Sequence, residues 1–280
     1  MIPITDTHLH LIYQDEFAYD WCADVPALNK DFKLEDYTKL TEGHGIAGSI
    51  FMEVDVAESQ IPDEAAFFSN LAAQSNNPLV GVIAACRPEN VDFQHTLEAT
   101  LTDSTVGLRR VLHVMPDETS QSSAFRENIR SLASYELPFD LCFNQSQHEI
   151  AYQLIKACPE NQFVLDHCGG PDIDPARLND WKLGLAKIAS LPNVVCKVSG
   201  IIASCPTPEQ ATLKNLTPWL ETTVETFGAD RILIGSDWPV CNLTSNLPNW
   251  LTMVREHFSS HTTDEQTAIF HKNAKRIYGV

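Results

Sequence analysis

Basic residues are scarce in this chain of 280 residues, which has 19 Lys and Arg against 37 Asp and Glu and a formal net charge of −18. No basic stretch offsets the acidic excess, so we expect no nucleic-acid partner and no anionic membrane surface. The chain also lacks an apolar run of the roughly 20 residues that a membrane span needs. Its first residues contain no basic region, so the sequence predicts no signal peptide and no transmembrane helix.

Cysteine pairs of the C-x-x-C type are absent, although the chain has eight cysteines. Most of these cysteines lie inside apolar segments, such as residues 82–86 and 194–196. This usage is typical of reduced, buried thiols rather than of a disulfide framework. The sequence therefore predicts a cytoplasmic protein.

Linkers, repeats and low-complexity tracts are absent too, and strand-like segments alternate with helix-like ones from end to end. The eight predicted strands are residues 2–8, 48–56, 80–87, 106–113, 138–144, 162–169, 193–200 and 231–237. The predicted helices are residues 34–44, 63–74, 122–135, 147–157, 177–190 and 218–227. This pattern predicts an α/β fold, a (β/α)8 TIM barrel formed by a single domain over residues 1–280. An open doubly wound sheet is the alternative, but no G-x-G-x-x-G sequence follows the first strand.

Three long connections are predicted to be loops that shape the substrate pocket, namely residues 15–32, 88–99 and 201–213. A closing helical region over residues 250–277 is expected to pack across the barrel exterior.

Histidine and aspartate residues stand at the ends of three predicted strands. Asp6, His8 and His10 alternate along the first strand, so we expect their side chains to point to one face. His167 and Asp237 end two later strands, and the C-terminal strand ends of a (β/α)8 barrel form the rim of its active site. We therefore expect the three histidines and Asp237 to meet there, where they can bind a divalent metal or polarise a carbonyl group.

Four short motifs resemble the amidohydrolase-2 branch of the amidohydrolase superfamily: residues 6–10 (DTHLH), 165–169 (LDHCG), 196–200 (CKVSG) and 235–239 (GSDWP). Within this branch the chain is most similar to the L-fuconolactonase and L-rhamnonolactonase group, which is related to the 2-pyrone-4,6-dicarboxylate lactonases. The resemblance extends over nearly the whole chain. It implies a TIM barrel and the hydrolysis of a lactone ester.

Hydrolysis of a lactone needs an activated water, a group that polarises the carbonyl and a proton donor for the leaving alkoxide. Asp237 is the predicted general base. His8, His10 and His167 either bind a single divalent metal together with Asp237, zinc being the favoured ion, or polarise the carbonyl directly. The resemblance implies that both variants occur, so metal-independent catalysis stays open. The bridging residue of two-metal relatives is missing near the end of the fourth strand, so we expect at most one ion.

Substrate contacts are predicted from the other polar and aromatic residues near the strand ends. The candidates are Trp21, Glu53, Arg87, Arg110, Asn144 and Trp238. Whether Lys197, Arg109 or His113 reaches the pocket is left open.

The predicted substrate is a small molecule. The basic residues are few and scattered, so a neutral polyhydroxy lactone is favoured over a dicarboxylate. The alternative functions are a metal-dependent decarboxylase of a hydroxylated aromatic acid and a barrel that only binds a metabolite. The oligomeric state is left open, with a homo-oligomer among the alternatives.

Overall fold

Eight parallel strands form the centre of the fold, which is described here from a computed structural model of residues 1–280. The strands are β1 (Ile4–Leu9), β2 (Ile46–Met52), β3 (Leu79–Ala85), β4 (Thr105–Val111), β5 (Phe139–Cys142), β6 (Phe163–Leu165), β7 (Val194–Val198) and β8 (Ile232–Ile234). Each strand pairs in parallel with the next one along the chain. The Asp237 N–H donates to the His8 carbonyl at 2.8 Å, which joins the end of β8 to β1. The predicted (β/α)8 barrel is therefore confirmed.

Alternation along the strands builds two apolar layers. In β2, Ile50 and Met52 pack in a small cluster with residues of β3, β6, β7 and β8 inside the barrel. Phe51 lies between them and faces outward, where its ring stacks on Phe68 with 3.5 Å between the ring centroids. Because both faces of the sheet are covered, strands such as β3, β6 and β8 are apolar along their whole length rather than at every second residue.

The helices follow the strands in sequence: α1 (Leu34–Leu40), α2 (Ile61–Ala72), α3 (Phe93–Thr100), α4 (Glu118–Gln121), α5 (Ser123–Ser131), α6 (His148–Ala157), α7 (Leu178–Ala189), α8 (Leu213–Phe227), α9 (Leu247–Phe258), α10 (Thr263–Thr267) and α11 (Asn273–Tyr278). None of them combines the length and the hydropathy of a membrane span.

Two predicted boundaries between helix and loop are wrong. The predicted loop over residues 88–99 contains most of α3, whose Phe93 and Leu97 are buried one helical turn apart. Helix α8 begins before the predicted start at Pro218, because the Thr212 side chain accepts a hydrogen bond from the Asn215 N–H and caps the helix earlier. Proline favours the first turn of a helix, which explains the error.

Strands β6 and β8 end earlier than predicted. After β6, His167 has φ +54° and Cys168 has φ +55°. After β8, Asp237 also has φ +54°. These left-handed residues turn the backbone away from the strand direction immediately after the barrel wall. His167 and Asp237 therefore lie on sharp turns just beyond β6 and β8 rather than within these strands.

The closing helical region does not lie wholly on the barrel exterior. Helix α9 packs outside, where the Trp250 Nε1–H donates to the Gly235 carbonyl at 2.9 Å. At the end of α11, however, Tyr278 enters the N-terminal end of the barrel. Its hydroxyl oxygen lies 2.9 Å from both carboxylate oxygens of Asp140, and Asp140 is ion-paired with the fully buried Lys197. Ala274, which lies within the closing region, packs in the same interior cluster as Ile50 and Met52, so the expectation of exterior packing is wrong for the last helix, which closes the bottom of the barrel.

Candidate active site

A cavity of about 680 Å³ opens at the C-terminal ends of the strands. His10, His167 and Asp237 line it, and His8 lies fully buried directly beneath them. A more open groove of about 1070 Å³ lies elsewhere, beside α1, and its lining contains no histidine or cysteine. Of these two, the cavity at the strand ends is therefore the one lined by the candidate metal-binding and catalytic residues.

Three side-chain atoms at the floor of this cavity form a compact triangle. The Nε2 atoms of His8 and His10 are 3.2 Å apart, and Oδ1 of Asp237 lies 3.6 Å from the first and 3.4 Å from the second. Zinc bound at its usual distances of about 2.0–2.1 Å places tetrahedral ligand atoms about 3.4 Å from each other. The triangle therefore fits one face of a zinc coordination tetrahedron.

The partners of the two Nδ1 atoms determine whether the Nε2 atoms of His8 and His10 have free lone pairs. His10 Nδ1 lies 3.1 Å from the Met52 carbonyl, which accepts only, so this nitrogen bears the proton. His8 Nδ1 faces Oδ1 of Asp166 at 3.3 Å, and neither atom has a hydrogen bond to another group. With the proton of each neutral ring on Nδ1, both Nε2 atoms direct lone pairs at each other across 3.2 Å. Such an arrangement is repulsive unless a cation lies between them, so the donor set fits a bound divalent ion.

His167 approaches the same point from the turn after β6. A ligand atom of His167 lies within 4.8 Å of those of His8 and Asp237, and His167 Nδ1 is 3.0 Å from Ser199 Oγ. Gly200, with φ +62°, makes this approach possible, because a Cβ there would lie 2.3 Å from His167 Nδ1 and 2.9 Å from Asp237 Oδ2. Only glycine leaves room for both side chains at this position.

Burial and neighbouring groups set the charges at the site. Burial lowers the pKa of His167 and lowers that of His8 well below its usual value. Burial alone would raise the pKa of Asp237, but the nearby histidines lower it to about 2. At neutral pH the imidazoles of His8 and His167 are therefore neutral and the carboxylate of Asp237 is ionised, the protonation states that metal ligation and general base catalysis both need.

Asp166 and Cys142 are functional candidates that the sequence interpretation missed. Asp166 orients His8, and its other oxygen accepts from Arg109 Nε at 3.1 Å. Cys142 lines the cavity and lies 3.1 Å from both Arg109 Nη2 and His113 Nδ1. The signal was strand alternation: Asp166 lies two positions after Val164 of β6, and Cys142 lies two positions after Asp140 of β5, and both Val164 and Asp140 face the barrel interior.

The predicted substrate contacts divide into two groups. Trp21, Glu53 and Asn144 line the cavity. Trp21 is fixed there because its Nε1–H donates to the Val54 carbonyl at 2.9 Å. Glu53 accepts from Arg109 Nη1 at 3.0 Å.

The other three predicted contacts lie away from the cavity lining. Arg87 donates to Asp55 at 2.9 Å, and Arg110 donates twice to Glu89 at 2.9 and 2.7 Å. Trp238 is buried in aromatic packing behind the site.

The positions left open by the sequence are also placed by the structure. Arg109 and His113 reach the cavity lining, whereas Lys197 lies below it and contacts Asp140 and Asp166. Asp6, expected on the same face as the histidines, instead accepts from the Ser236 N–H at 2.7 Å and stabilises the turn after β8.

Comparisons with known proteins agree with this architecture. The sequence model of the family described as "Amidohydrolase" matches residues 5–280. A relative named L-fucono-1,5-lactonase, from Burkholderia multivorans, is 24% identical over 290 residues, covering 98% of this chain and 95% of the relative.

Solved structures share the fold. An amidohydrolase from Burkholderia multivorans with bound zinc has a TM-score of 0.89 at 22% identity, over 99% of each chain. The 2,6-dihydroxybenzoate decarboxylase from Rhizobium has a TM-score of 0.67 at 15% identity, over 100% of this chain and 99% of that one. At these identities the likeness is one of fold.

Proposed function

The chain belongs to the amidohydrolase family, and from this premise we propose that it is a lactonase, a hydrolase that opens the cyclic ester of a small sugar acid. The observation that carries the proposal is the position of Asp237. This ionised carboxylate lies within 3.6 Å of the inner nitrogens of His8 and His10, in the wall of a cavity that a small lactone can enter. A base and carbonyl-polarising groups are thus side by side.

Asp237 can serve both proton transfers of the reaction. Its carboxylate takes a proton from water while the water oxygen bonds to the ester carbon. When the tetrahedral intermediate collapses, the bond between that carbon and the ring oxygen breaks. The leaving alkoxide then takes the proton back from Asp237, and the product is an open hydroxy acid.

The histidines have two tasks in this proposal. With Asp237 they would hold a divalent ion, for which zinc matches the nitrogen and oxygen donors, and such an ion supplies Lewis acidity toward the ester carbonyl. They also keep water and ester in place beside the base, because Asp166, the Met52 carbonyl and Ser199 restrain their rings.

The charges of the cavity support an uncharged substrate. Its lining contains five carboxylates, namely Glu53, Asp55, Asp172, Asp174 and Asp237, and a single guanidinium, that of Arg109. Arg109 already binds a carboxylate through each of two nitrogens. The acidic lining therefore disfavours an anionic dicarboxylate, whereas the hydroxyl groups of a sugar lactone can donate to carboxylate oxygens of the lining. The cysteine usage of the sequence supports a cytoplasmic location as part of the proposal.

A decarboxylase of hydroxylated aromatic acids is the second candidate. It is favoured by the decarboxylase of the same fold and by a donor set that fits one ion. The acidic lining disfavours it, because the substrate would be a carboxylate.

The test is a pH-indicator hydrolysis assay on the purified protein with sugar-acid lactones, muconolactones and 2-pyrone-4,6-dicarboxylate, with chelator and with added zinc. We expect turnover of a sugar lactone, and Asp237→Asn should lower kcat by about 10²–10⁴-fold because it removes the base. Asp180→Asn makes the same charge change on the exposed first turn of α7 and should leave kcat unchanged.

Absence of lactone opening in every metal condition would contradict the proposal. Release of carbon dioxide from 2,6-dihydroxybenzoate, abolished by Asp237→Asn, would then establish the second candidate.

A further inference from the structure

A second group of metal-ligand atoms lies beside the first. Cys142 Sγ, a carboxylate oxygen of Asp166 and a ring nitrogen of His167 are all within 4.8 Å of one another. Thiolate, carboxylate and imidazole are the ligand types that zinc and cobalt take in proteins. Cys142 ends β5 and the other two residues follow β6, so this group shares His167 with the His8, His10 and Asp237 site. By composition it is a second position for an ion.

The side chain of Arg109 already occupies this position. Its three guanidinium nitrogens bind three different atoms: Nε donates to Asp166 Oδ2 at 3.1 Å, Nη1 to Glu53 Oε1 at 3.0 Å and Nη2 to Cys142 Sγ at 3.1 Å. Arg109 is 5% exposed, and its two carboxylate partners are fully buried. A guanidinium is charged at every physiological pH, and here its donors point at the atoms that would ligate a metal.

We propose that Arg109 is a built-in cation that takes the place of a second metal ion and limits the site to one. A divalent ion beside Cys142 and Asp166 would lie within a few ångströms of a permanent positive charge in a buried environment, where repulsion is strong. The same guanidinium neutralises the two carboxylates that would otherwise attract the ion. This inference concerns metal stoichiometry and holds whichever ester the protein hydrolyses.

The test compares Co²⁺ binding to the wild-type protein and to Arg109→Ala by equilibrium dialysis and near-ultraviolet absorption. We expect Arg109→Ala to bind one equivalent more than the wild type. The additional ion should show the thiolate-to-cobalt charge-transfer band that the wild type lacks. Adding Cys142→Ser to Arg109→Ala should remove this band. Arg109→Lys is the matched control, because it retains a cation and should bind as many equivalents as the wild type.

Two results would overturn the proposal. One is a folded Arg109→Ala protein, verified by circular dichroism, that gains no equivalent and no charge-transfer band. The other is a wild-type protein that shows the thiolate band while Arg109 is intact. Should Arg109→Ala fail to fold, Arg109→Gln replaces it, since the amide retains hydrogen-bond donors but has no charge. The expected gain and its refutation are then the same.

Discussion

Lys197 is the buried residue whose removal should reveal most about the barrel interior. It is fully buried, ion-paired with Asp140, and its Nζ lies 3.5 Å from Asp166 Oδ1. Lys197→Met preserves most of the side-chain volume but leaves these two carboxylates without their shared cation. Asp166 retains Arg109 as a partner, whereas Asp140 retains only the hydroxyl of Tyr278.

The expected loss follows from the uncompensated charge. Removing one partner of a buried ion pair costs about 3–5 kcal/mol. With a urea m-value of about 3 kcal/mol per molar, the denaturation midpoint should fall by about 1–1.7 M. Lys214→Met removes a lysine from the exposed side of α8 and should change the free energy of unfolding by less than about 0.5 kcal/mol.

The loss should depend on pH in a defined direction. Burial raises the pKa of Asp140 to about 7, although Lys197 lowers it, so without Lys197 the pKa lies higher still. A carboxyl group whose pKa is raised on folding contributes stability that is complete below its unfolded pKa of about 3.9 and is lost as the pH rises through the folded pKa. Lys197→Met should therefore be most destabilising at pH 8 and less so at pH 5.5, where Asp140 binds a proton.

Urea denaturation of the wild type, Lys197→Met and the double variant Lys197→Met/Asp140→Asn at both pH values checks this reasoning. The double variant should regain part of the stability at pH 8, because it removes the unpaired charge. A loss below about 1 kcal/mol at pH 8, well under the cost of a broken buried pair, or an equal loss at both pH values, would refute it.

Two further substitutions test the site and the base of the barrel. Gly200→Ala places a Cβ 2.3 Å from His167 Nδ1 and 2.9 Å from Asp237 Oδ2 on a left-handed backbone. We expect about 1–2 kcal/mol of strain and zinc affinity at least about tenfold weaker by calorimetric titration; an unchanged Kd would contradict the assigned ligand positions. Tyr278→Phe removes the hydroxyl that lies 2.9 Å from Asp140 and should cost about 1–3 kcal/mol in urea denaturation. A variant as stable as the wild type would show that this contact is not needed to satisfy the buried carboxylate.

The barrel and its rim could be predicted from the sequence because both depend on local patterns. Apolar runs of strand length alternate with segments of helical periodicity, and this pattern can be recognised without knowledge of the tertiary contacts. The positions of His8, His10, His167 and Asp237 at or just after the ends of strands could be predicted as well, since the C-terminal ends of parallel strands meet at one rim. The turn chemistry just after β6 and β8 was not visible, because its left-handed backbone is stabilised by contacts between distant segments.

The arginines at the end of β4 show where prediction from sequence stops. Arg109 and Arg110 are neighbours of the same type, and alternation requires only that they face opposite sides. The direction of each side chain is decided by partners distant in the sequence. These are Asp166 and Glu53 for Arg109, and Glu89 for Arg110.

The sequence by itself thus determined the eight-stranded barrel and the positions of the histidines and of Asp237 at the strand ends, since these depend on patterns within short segments. The tertiary structure alone decided which buried side chains share a charge. It also decided that the closing helix inserts Tyr278 into the bottom of the barrel and that the guanidinium of Arg109 contacts both Asp166 and Cys142. Such features depend on atoms from several strands meeting within about 3–4 Å, the range over which hydrogen bonds and ion pairs act.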